Sequence, residues 1–187
     1  MRSPTVELLA LFAGVFVLQQ LAGLVGLGPV WFALAAPLAR PWTLVTSVYA
    51  HASLSHLLAN AIALVLVGIP LERFTSRARF HGFVLVAGAV AGLTELLVGG
   101  LLGGSVAVLG ASGAVLALYG YVLAGNPLSG GLLARLDLSG RGKLLVLAGV
   151  AVAVTLLTAG PGVALVAHAT GAVVGVVAGR FRVLHAR

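Results

Sequence analysis

The stretch HASLSHLLAN at residues 51–60 places two histidines and an asparagine at the start of a segment that is otherwise apolar. His51, His56 and Asn60 follow one another at i, i+5 and i+9, and composition alone predicts on the order of 0.001 such patterns in this chain. Hydrocarbon tolerates polar groups only where they face the protein interior or a water-filled cavity. The stretch therefore predicts a membrane segment that carries part of a functional site.

The composition of the whole chain agrees with a membrane protein. Of its 187 residues, 60% are hydrophobic and 8% are charged, whereas a soluble domain carries about 25% charged residues. The expected surroundings are thus the lipid bilayer. The net charge is +7, but no stretch of the sequence is both basic and polar enough to form a nucleic-acid-binding surface. Nucleic acid is therefore not an expected partner. The chain has no cysteine, which excludes disulfides and thiolate chemistry.

The apolar segments predict the fold class, an all-α polytopic membrane protein built as a six-transmembrane-helix bundle in a single domain over residues 1–187. The connection at residues 28–50 is interrupted by prolines and carries two tryptophans, which predicts a structured segment in the outer membrane interface. The predicted helices run roughly over Val6–Leu27, His51–Pro70, Phe80–Leu101, Val106–Leu123, Lys143–Thr158 and Val163–Phe181.

The distribution of positive charge predicts the orientation. Arginines and lysines lie before the first helix, after the second, between the fourth and fifth and after the sixth, and the other connections hold only Arg40. The positive-inside rule then predicts a multi-pass protein of the plasma membrane with both termini in the cytoplasm. The second, fourth and sixth helices start from the outer side, which brings His51, Ser112 and His168 to a similar depth in the outer half of the bilayer.

The residues alone leave several interpretations open for these polar groups. Gly-Ala-Ser-Gly at residues 110–113 is a weak motif, since composition predicts about 0.2 Gly-x-Ser-Gly patterns and small residues also serve helix packing. Histidines inside a membrane protein also satisfy core hydrogen bonds. Zinc binding is disfavoured because His51 and His56 would lie about 140° apart on a helix and further ligands are missing. No metal and no cofactor are therefore expected.

Taken in order, the motifs resemble the rhomboid family of intramembrane serine proteases, in its minimal six-helix prokaryotic form. The likeness runs from about Arg40 to Gly179. The motifs that carry it are Arg40-Pro41-Trp42, the stretch at 51–60, Leu71-Glu72-Arg73, Gly110-Ala111-Ser112-Gly113 and His168-x-x-Gly171-x-x-x-Gly175.

The resemblance implies a Ser–His dyad, with Ser112 as the nucleophile and His168 as the general base. It further implies that His56, Asn60 and the backbone N–H of Ser112 line an oxyanion hole. Residues expected to line or support the cavity are His51, Gly110, Gly113, Leu116 and Gly171. A neutral imidazole beside a serine hydroxyl is the arrangement that such a nucleophile needs at neutral pH.

The implied activity is endopeptidase cleavage of transmembrane or membrane-anchored protein substrates near the outer face, through an acyl-enzyme. One alternative is a catalytically inactive rhomboid-like protein that binds membrane clients, but the presence of both Ser112 and His168 counts against it. A small transporter is the other, and the confinement of polar residues to the outer half of the bilayer counts against that. A two-aspartate intramembrane protease is excluded, because Asp137 is the only aspartate.

Three positions complicate the likeness. Leu116 stands where the family often has an aromatic ring that packs on the catalytic histidine. Thr43 follows Trp42 where the family often has arginine, while Arg40 precedes it. Glu95 lies toward the outer end of the third helix and is expected to stay outside the site, so the prediction is a dyad without a carboxylate.

Overall fold

The computed structural model describes residues 3–36, 38–102, 107–125, 138–143, 145–147, 149 and 164–185. These residues are mostly helical, and three helices are long and apolar enough to cross a membrane. The helices are α1 (Pro4–Leu24), α2 (Thr43–Tyr49), α3 (Leu54–Leu71), α4 (Arg77–Leu101), α5 (Ser112–Gly125) and α6 (Leu165–Arg180). The three candidate spans are α1, α4 and α3 with the 3-10 turn Glu72–Phe74 that continues it.

The helical membrane character predicted from the sequence is confirmed, whereas the count of six spans stays a prediction. The predicted fifth helix, Lys143–Thr158, lies mostly outside the described residues, although residues 140–143, 145–147 and 149 are helical. The helices α5 and α6 are apolar but short, with 14 and 16 residues. The short α2 belongs to the segment predicted to lie in the interface.

Serine side chains define where the three long helices begin. Ser3, Ser53 and Ser76 each stand at the N-cap with extended backbone, and each hydroxyl accepts a hydrogen bond from a backbone N–H in the first turn. Such caps satisfy donors that have no intrahelical partner. Because Ser53 is the cap, the helix predicted to start at His51 begins at Leu54, and that prediction is wrong by one turn.

The segment between α1 and α3 is held by aromatic contacts and by a short sheet. The Trp42 Nε1–H donates to the Trp31 carbonyl at 3.1 Å, the two indole rings stack, and the Arg40 guanidinium lies 4.9 Å from the Trp31 ring centre. Arg40 therefore anchors the segment where the family often places an arginine after Trp42. Strand β1 (Leu34–Ala35) pairs antiparallel with β2 (Ala107–Val108).

Strand β2 corrects the predicted start of the fourth helix. The prediction was a helix from Val106, but Ala107 and Val108 are extended and α5 begins at Ser112. Gly110 has φ +131°, a conformation that interrupts a helix. The serine consequently stands at the first position of α5, directly after an extended segment.

Polar contacts tie the helix ends together at the side of the bundle that we call the basal end, defined by Ser3, Glu7, Glu72, Arg77 and His185. The Glu72 carboxylate accepts from the Ser3 hydroxyl at 2.7 Å, and the Glu7 carboxylate pairs with Arg77 at 2.7 Å. His185 accepts a hydrogen bond from, or donates one to, the buried Tyr121 hydroxyl at 2.7 Å. The start of α1 and the end of α3 are thereby fixed to the start of α4.

Helices α5 and α6 pack along a seam of small residues. A Cβ at Gly171 would overlap the Gly113 carbonyl oxygen, and a Cβ at Gly175 would overlap that of Ala117. Backbones approach this closely in membrane helices only where side chains are small. The hydrophobic core beside this seam draws buried residues from α1, α3, α4 and α5, among them Leu8, Phe12, Leu64, Phe80, Leu118 and Tyr121.

Candidate active site

The central contact of the candidate site joins α5 to α6. His168 Nε2 lies 2.7 Å from Ser112 Oγ, which is hydrogen-bonding distance, although 56 residues separate the two in the chain. Ser112 is the first residue of α5, and His168 lies in the first turn of α6. Both side chains are half-buried at the end of the bundle opposite the basal end.

The glycine seam explains why these side chains reach each other. Gly113 follows Ser112, and the site that a Cβ would occupy there lies 2.7 Å from the Ala91 Cβ and 3.4 Å from the Ala167 carbonyl oxygen. Gly171 is three residues beyond His168 and faces Gly113 backbone to backbone. With the two helix axes this close, a serine and a histidine bridge the gap directly.

His56 lies against Gly110, two residues before the serine. A Cβ on Gly110 would lie 2.7 Å from His56 Cε1 and 3.0 Å from its Nε2, so the imidazole covers the Gly110 backbone. The Gly110 N–H donates to the Ser47 carbonyl of α2 at 2.8 Å. The turn before Ser112 is thus fixed at Gly110, which bonds to α2 on one side and packs against the His56 ring on the other.

The other two polar residues of the 51–60 stretch support His56. The Asn60 side chain is buried, and its amide donates to the His56 carbonyl at 3.0 Å. His51 is buried and meets the His56 ring edge to face, with ring centres 5.2 Å apart. The helical-wheel prediction that the two histidines point about 140° apart is therefore wrong, because His51 precedes the helix.

His51 is itself oriented by two contacts. Its Nδ1–H donates to the Tyr49 carbonyl at 3.1 Å, and its backbone N–H donates to the Gln19 side chain of α1 at 3.0 Å. That tautomer leaves the buried Nε2 as an acceptor, and it has no hydrogen-bond partner among the described residues. The role of Gln19 was not predicted, since a polar residue on α1 gives no sign of a partner 32 residues away.

A small cavity lies beside the serine. It has a volume of about 20 Å³, enough for about one water molecule, and its walls include Ser112, Gly92 and the buried Ser47. Leu116 lies one helical turn beyond Ser112 and packs with Leu147, Ala172 and Val176. The position where the family often has an aromatic ring thus contributes to an aliphatic cluster between α5 and α6.

Glu95 lies closer to the candidate site than expected from the sequence. Its Oε2 accepts a hydrogen bond from the Ala167 backbone N–H at 2.7 Å, so this carboxylate contacts the residue directly before His168. From its position toward the outer end of the third predicted helix, Glu95 was expected to lie outside the site. One signal for it was available, because an acidic residue within an apolar segment is a functional candidate by default.

The described residues include no group of three or more histidine, aspartate or glutamate side chains placed to hold a metal ion. The donors near Ser112 are imidazoles whose contacts are to backbone carbonyls, to each other and to the serine. The chemistry that this arrangement allows is proton transfer from a hydroxyl to a neutral imidazole.

Comparisons with known proteins agree with the motifs. The family described as Rhomboid domain matches residues 38–185. The human protein named Rhomboid-related protein 3 is 38% identical over 86 residues, which is 46% of this chain and 20% of the relative. The mouse protein of the same name has the same identity and coverage. The aligned region therefore spans about a fifth of the length of these relatives.

Proposed function

Because the chain belongs to the rhomboid family, we propose that it is an intramembrane serine endopeptidase with Ser112 and His168 as its catalytic dyad. The observation that carries this proposal is the 2.7 Å contact between Ser112 Oγ and His168 Nε2. It joins two separate apolar helices and brings a hydroxyl group of one against an imidazole of the other.

The first half of the reaction forms an acyl-enzyme. His168 Nε2 takes the hydroxyl proton as Ser112 Oγ attacks the carbonyl carbon of the scissile peptide bond. The tetrahedral intermediate collapses as the imidazolium gives that proton to the leaving amine. The N-terminal part of the substrate then remains as an ester on Ser112.

Water completes the cycle. His168 removes a proton from a water molecule that attacks the ester carbon, and the new carboxyl group leaves as Ser112 regains its proton. The cavity of about 20 Å³ beside Ser112 has room for about one such molecule. The half-buried placement of both dyad residues favours this step, since water must reach a site surrounded by lipid.

Stabilisation of the negative charge on the intermediate is assigned to three groups. The backbone N–H of Ser112 lies at the start of α5, where amide donors have no intrahelical partner and the helix dipole is positive. His56 covers Gly110, two residues before Ser112, and the Asn60 side chain has a second amide N–H beyond the one donated to the His56 carbonyl. Donors aimed at a developing oxyanion are worth on the order of 3 kcal/mol each.

Helix lengths support a site below the outer membrane surface. Thirteen residues separate Ser112 from Gly125 and twelve separate His168 from Arg180. At about 1.5 Å per residue, both side chains stand roughly 20 Å above the basal end, whereas the hydrocarbon core is about 30 Å thick. With Gly125 and Arg180 placed at the cytoplasmic edge of the hydrocarbon core, this corresponds to a depth of about 10 Å below the opposite face.

We assign the basal end to the cytoplasm and the protein to the plasma membrane, with both termini inside, because the arginines gather at that end. We also assign residues 1–187 to a single six-helix domain. The helix α1 precedes the matched residues, yet Leu8 and Phe12 are buried in the same core as Leu64 and Phe80. That shared core supports one domain.

The substrates we propose are transmembrane or membrane-anchored proteins cleaved near the outer face. An intact helix shields its own carbonyl groups by hydrogen bonds, so the substrate must unwind at the cut. Segments with small and helix-weakening residues near the outer face are therefore preferred. No cofactor and no metal is needed for this chemistry.

The test is cleavage of a reporter protein with one transmembrane helix, in liposomes, by the wild type, Ser112→Ala and His168→Ala. Cleavage by the wild type and its loss in both variants is expected. Equal cleavage by Ser112→Ala would refute the dyad. If the wild type cleaves nothing, labelling of Ser112 by a fluorophosphonate decides between an active enzyme with other substrates and a client-binding relative, because only an activated serine reacts.

A further inference from the structure

We propose that Glu95 is a positioning residue for the general base. Its carboxylate reaches from α4 to the first turn of α6, caps that turn from outside, and so fixes where the His168 ring stands. The inference rests on the proposed function, because it assigns a role within the same site.

The first turn of α6 lacks a cap of its own. Its N-cap residue is Ala164, which has no side chain that accepts a hydrogen bond. The first N–H groups of any helix have no intrahelical partner, and a buried one needs an acceptor from elsewhere in the protein. Glu95 Oε2 supplies an acceptor to one of them, the N–H of the buried Ala167, at 2.7 Å.

The charge of the acceptor suits its place. A carboxylate beside a helix N-terminus interacts favourably with the positive end of the helix dipole. A charged acceptor also makes a shorter and stronger hydrogen bond than a neutral one. Glu95 thus does from a neighbouring helix what a serine does at the N-caps of α1, α3 and α4.

The capped residue is central to the geometry of the dyad. Ala167 directly precedes His168, and its carbonyl oxygen lies against Gly113, which directly follows Ser112. The His168 N–H in turn donates to the Ala164 carbonyl at 3.0 Å. If the first turn of α6 frays, the imidazole moves with it and the 2.7 Å contact to Ser112 is lost.

The contact pattern separates positioning from direct catalysis. The hydrogen bond of Glu95 goes to a backbone N–H of α6, and the imidazole of His168 bonds to Ser112. Removing the carboxylate should therefore lower kcat and leave KM nearly unchanged. A glutamine at position 95 should keep most of the wild-type kcat, because its amide oxygen still accepts a hydrogen bond.

The experiment compares Glu95→Leu, Glu95→Gln and the neighbouring control Thr94→Val with the wild type. The Thr94 hydroxyl donates to Val90 of its own helix at 2.8 Å, so its loss removes a polar group without touching α6. We expect kcat of Glu95→Leu to fall on the order of 10- to 100-fold. We expect Glu95→Gln to stay within about threefold of the wild type and Thr94→Val to match it.

Backbone amide hydrogen exchange of residues 165–168 gives a second readout that needs no activity. Glu95→Leu should exchange faster there than the wild type and Thr94→Val, with α1 unchanged. If Glu95→Leu unfolds throughout, Glu95→Asp takes its place, since the shorter carboxylate falls short of Ala167.

Unchanged exchange in the leucine variant, or in the aspartate variant that replaces it, overturns the proposal. So does a glutamine variant that loses as much kcat as the leucine variant while residues 165–168 exchange at the wild-type rate, since the carboxylate would then act on the reaction without acting through the first turn of α6. If Glu95→Leu exchanges faster at residues 165–168 but the wild type cleaves no substrate, the capping role of Glu95 stands and the proposed protease function is refuted.

Discussion

Replacing Gly171 by alanine tests whether the glycine seam sets the geometry of the site. The added Cβ would lie 2.8 Å from the carbonyl carbon of Gly113 and 3.0 Å from its Cα, and would overlap the carbonyl oxygen. Ordinary contacts at such a carbon begin near 3.4 Å. All three atoms belong to backbone, so rotation of a side chain cannot relieve the overlap.

The magnitude follows from these distances. The carbon contacts alone require α5 and α6 to separate by roughly 0.5 Å, and the overlapped oxygen raises this to about 1 Å. A separation of that size lengthens the 2.7 Å contact between Ser112 and His168 to about 3.7 Å, beyond hydrogen-bonding distance. We expect Gly171→Ala to lose about 1–3 kcal/mol of stability and about 100-fold in cleavage rate.

The assay is thermal unfolding in detergent micelles together with cleavage in liposomes well below the unfolding temperature. Gly14→Ala serves as the matched control, because no atom of the described residues, apart from the neighbouring backbone of α1 itself, lies within 4 Å of the position of its added Cβ. Alanine there should leave cleavage unchanged and stabilise by at most about 1 kcal/mol. If Gly171→Ala behaves like Gly14→Ala in both assays, the seam does not control the dyad.

Three further substitutions probe other parts of the site and of the basal end. Gly110→Ala forces a side chain into a backbone with φ +131° and against the His56 ring, so it should cost about 1–3 kcal/mol and most of the cleavage rate; wild-type cleavage would contradict this. Ser53→Ala removes the cap that holds the His56 N–H and should lower stability in thermal unfolding by about 1 kcal/mol. Tyr121→Phe removes a buried hydroxyl bonded to His185 and should cost about 1–3 kcal/mol, yet leave cleavage at low temperature intact, because this contact lies at the far end of the bundle.

The sequence predicted best those features that depend on composition over a whole segment. Apolar runs of about 20 residues identified the helices α1, α3 and α4, because a bilayer accepts backbone only when its polar groups are internally bonded. The motif around Ser112 and the histidine at 168 identified the two side chains that the fold brings within 2.7 Å. Neither composition nor spacing alone predicted that contact; the resemblance of the motifs did.

Helix starts were predicted less well, because hydropathy gives no information on which residue is the N-cap. The polar residues at 51–53 were counted into a helix that begins only after Ser53. The preference of serine for the N-cap was a signal in the sequence that would have corrected the boundary. With the boundary corrected in this way, the helical-wheel angle between His51 and His56 would not have been estimated, because His51 precedes the helix.

Contacts between distant segments that involve backbone groups were not predicted. The pairing of Leu34 with Val108 and the bond from Ala167 to Glu95 each join residues more than 70 positions apart. Both depend on backbone groups, which every residue carries, so no residue type in the sequence marks the partner. The position of Glu95 was visible, but its partner was not.

The separation of Ser112 and His168 by 56 positions in the chain also determines the order of events during biosynthesis. At about 5–20 residues per second, a ribosome needs roughly 3–11 s to make the chain that separates them. During that interval α5 is already made, while its serine has neither base nor partner helix. On the proposed function, a newly inserted chain therefore contacts its neighbours in the translocation machinery without being able to cleave them, and cleavage begins only once α6 has docked.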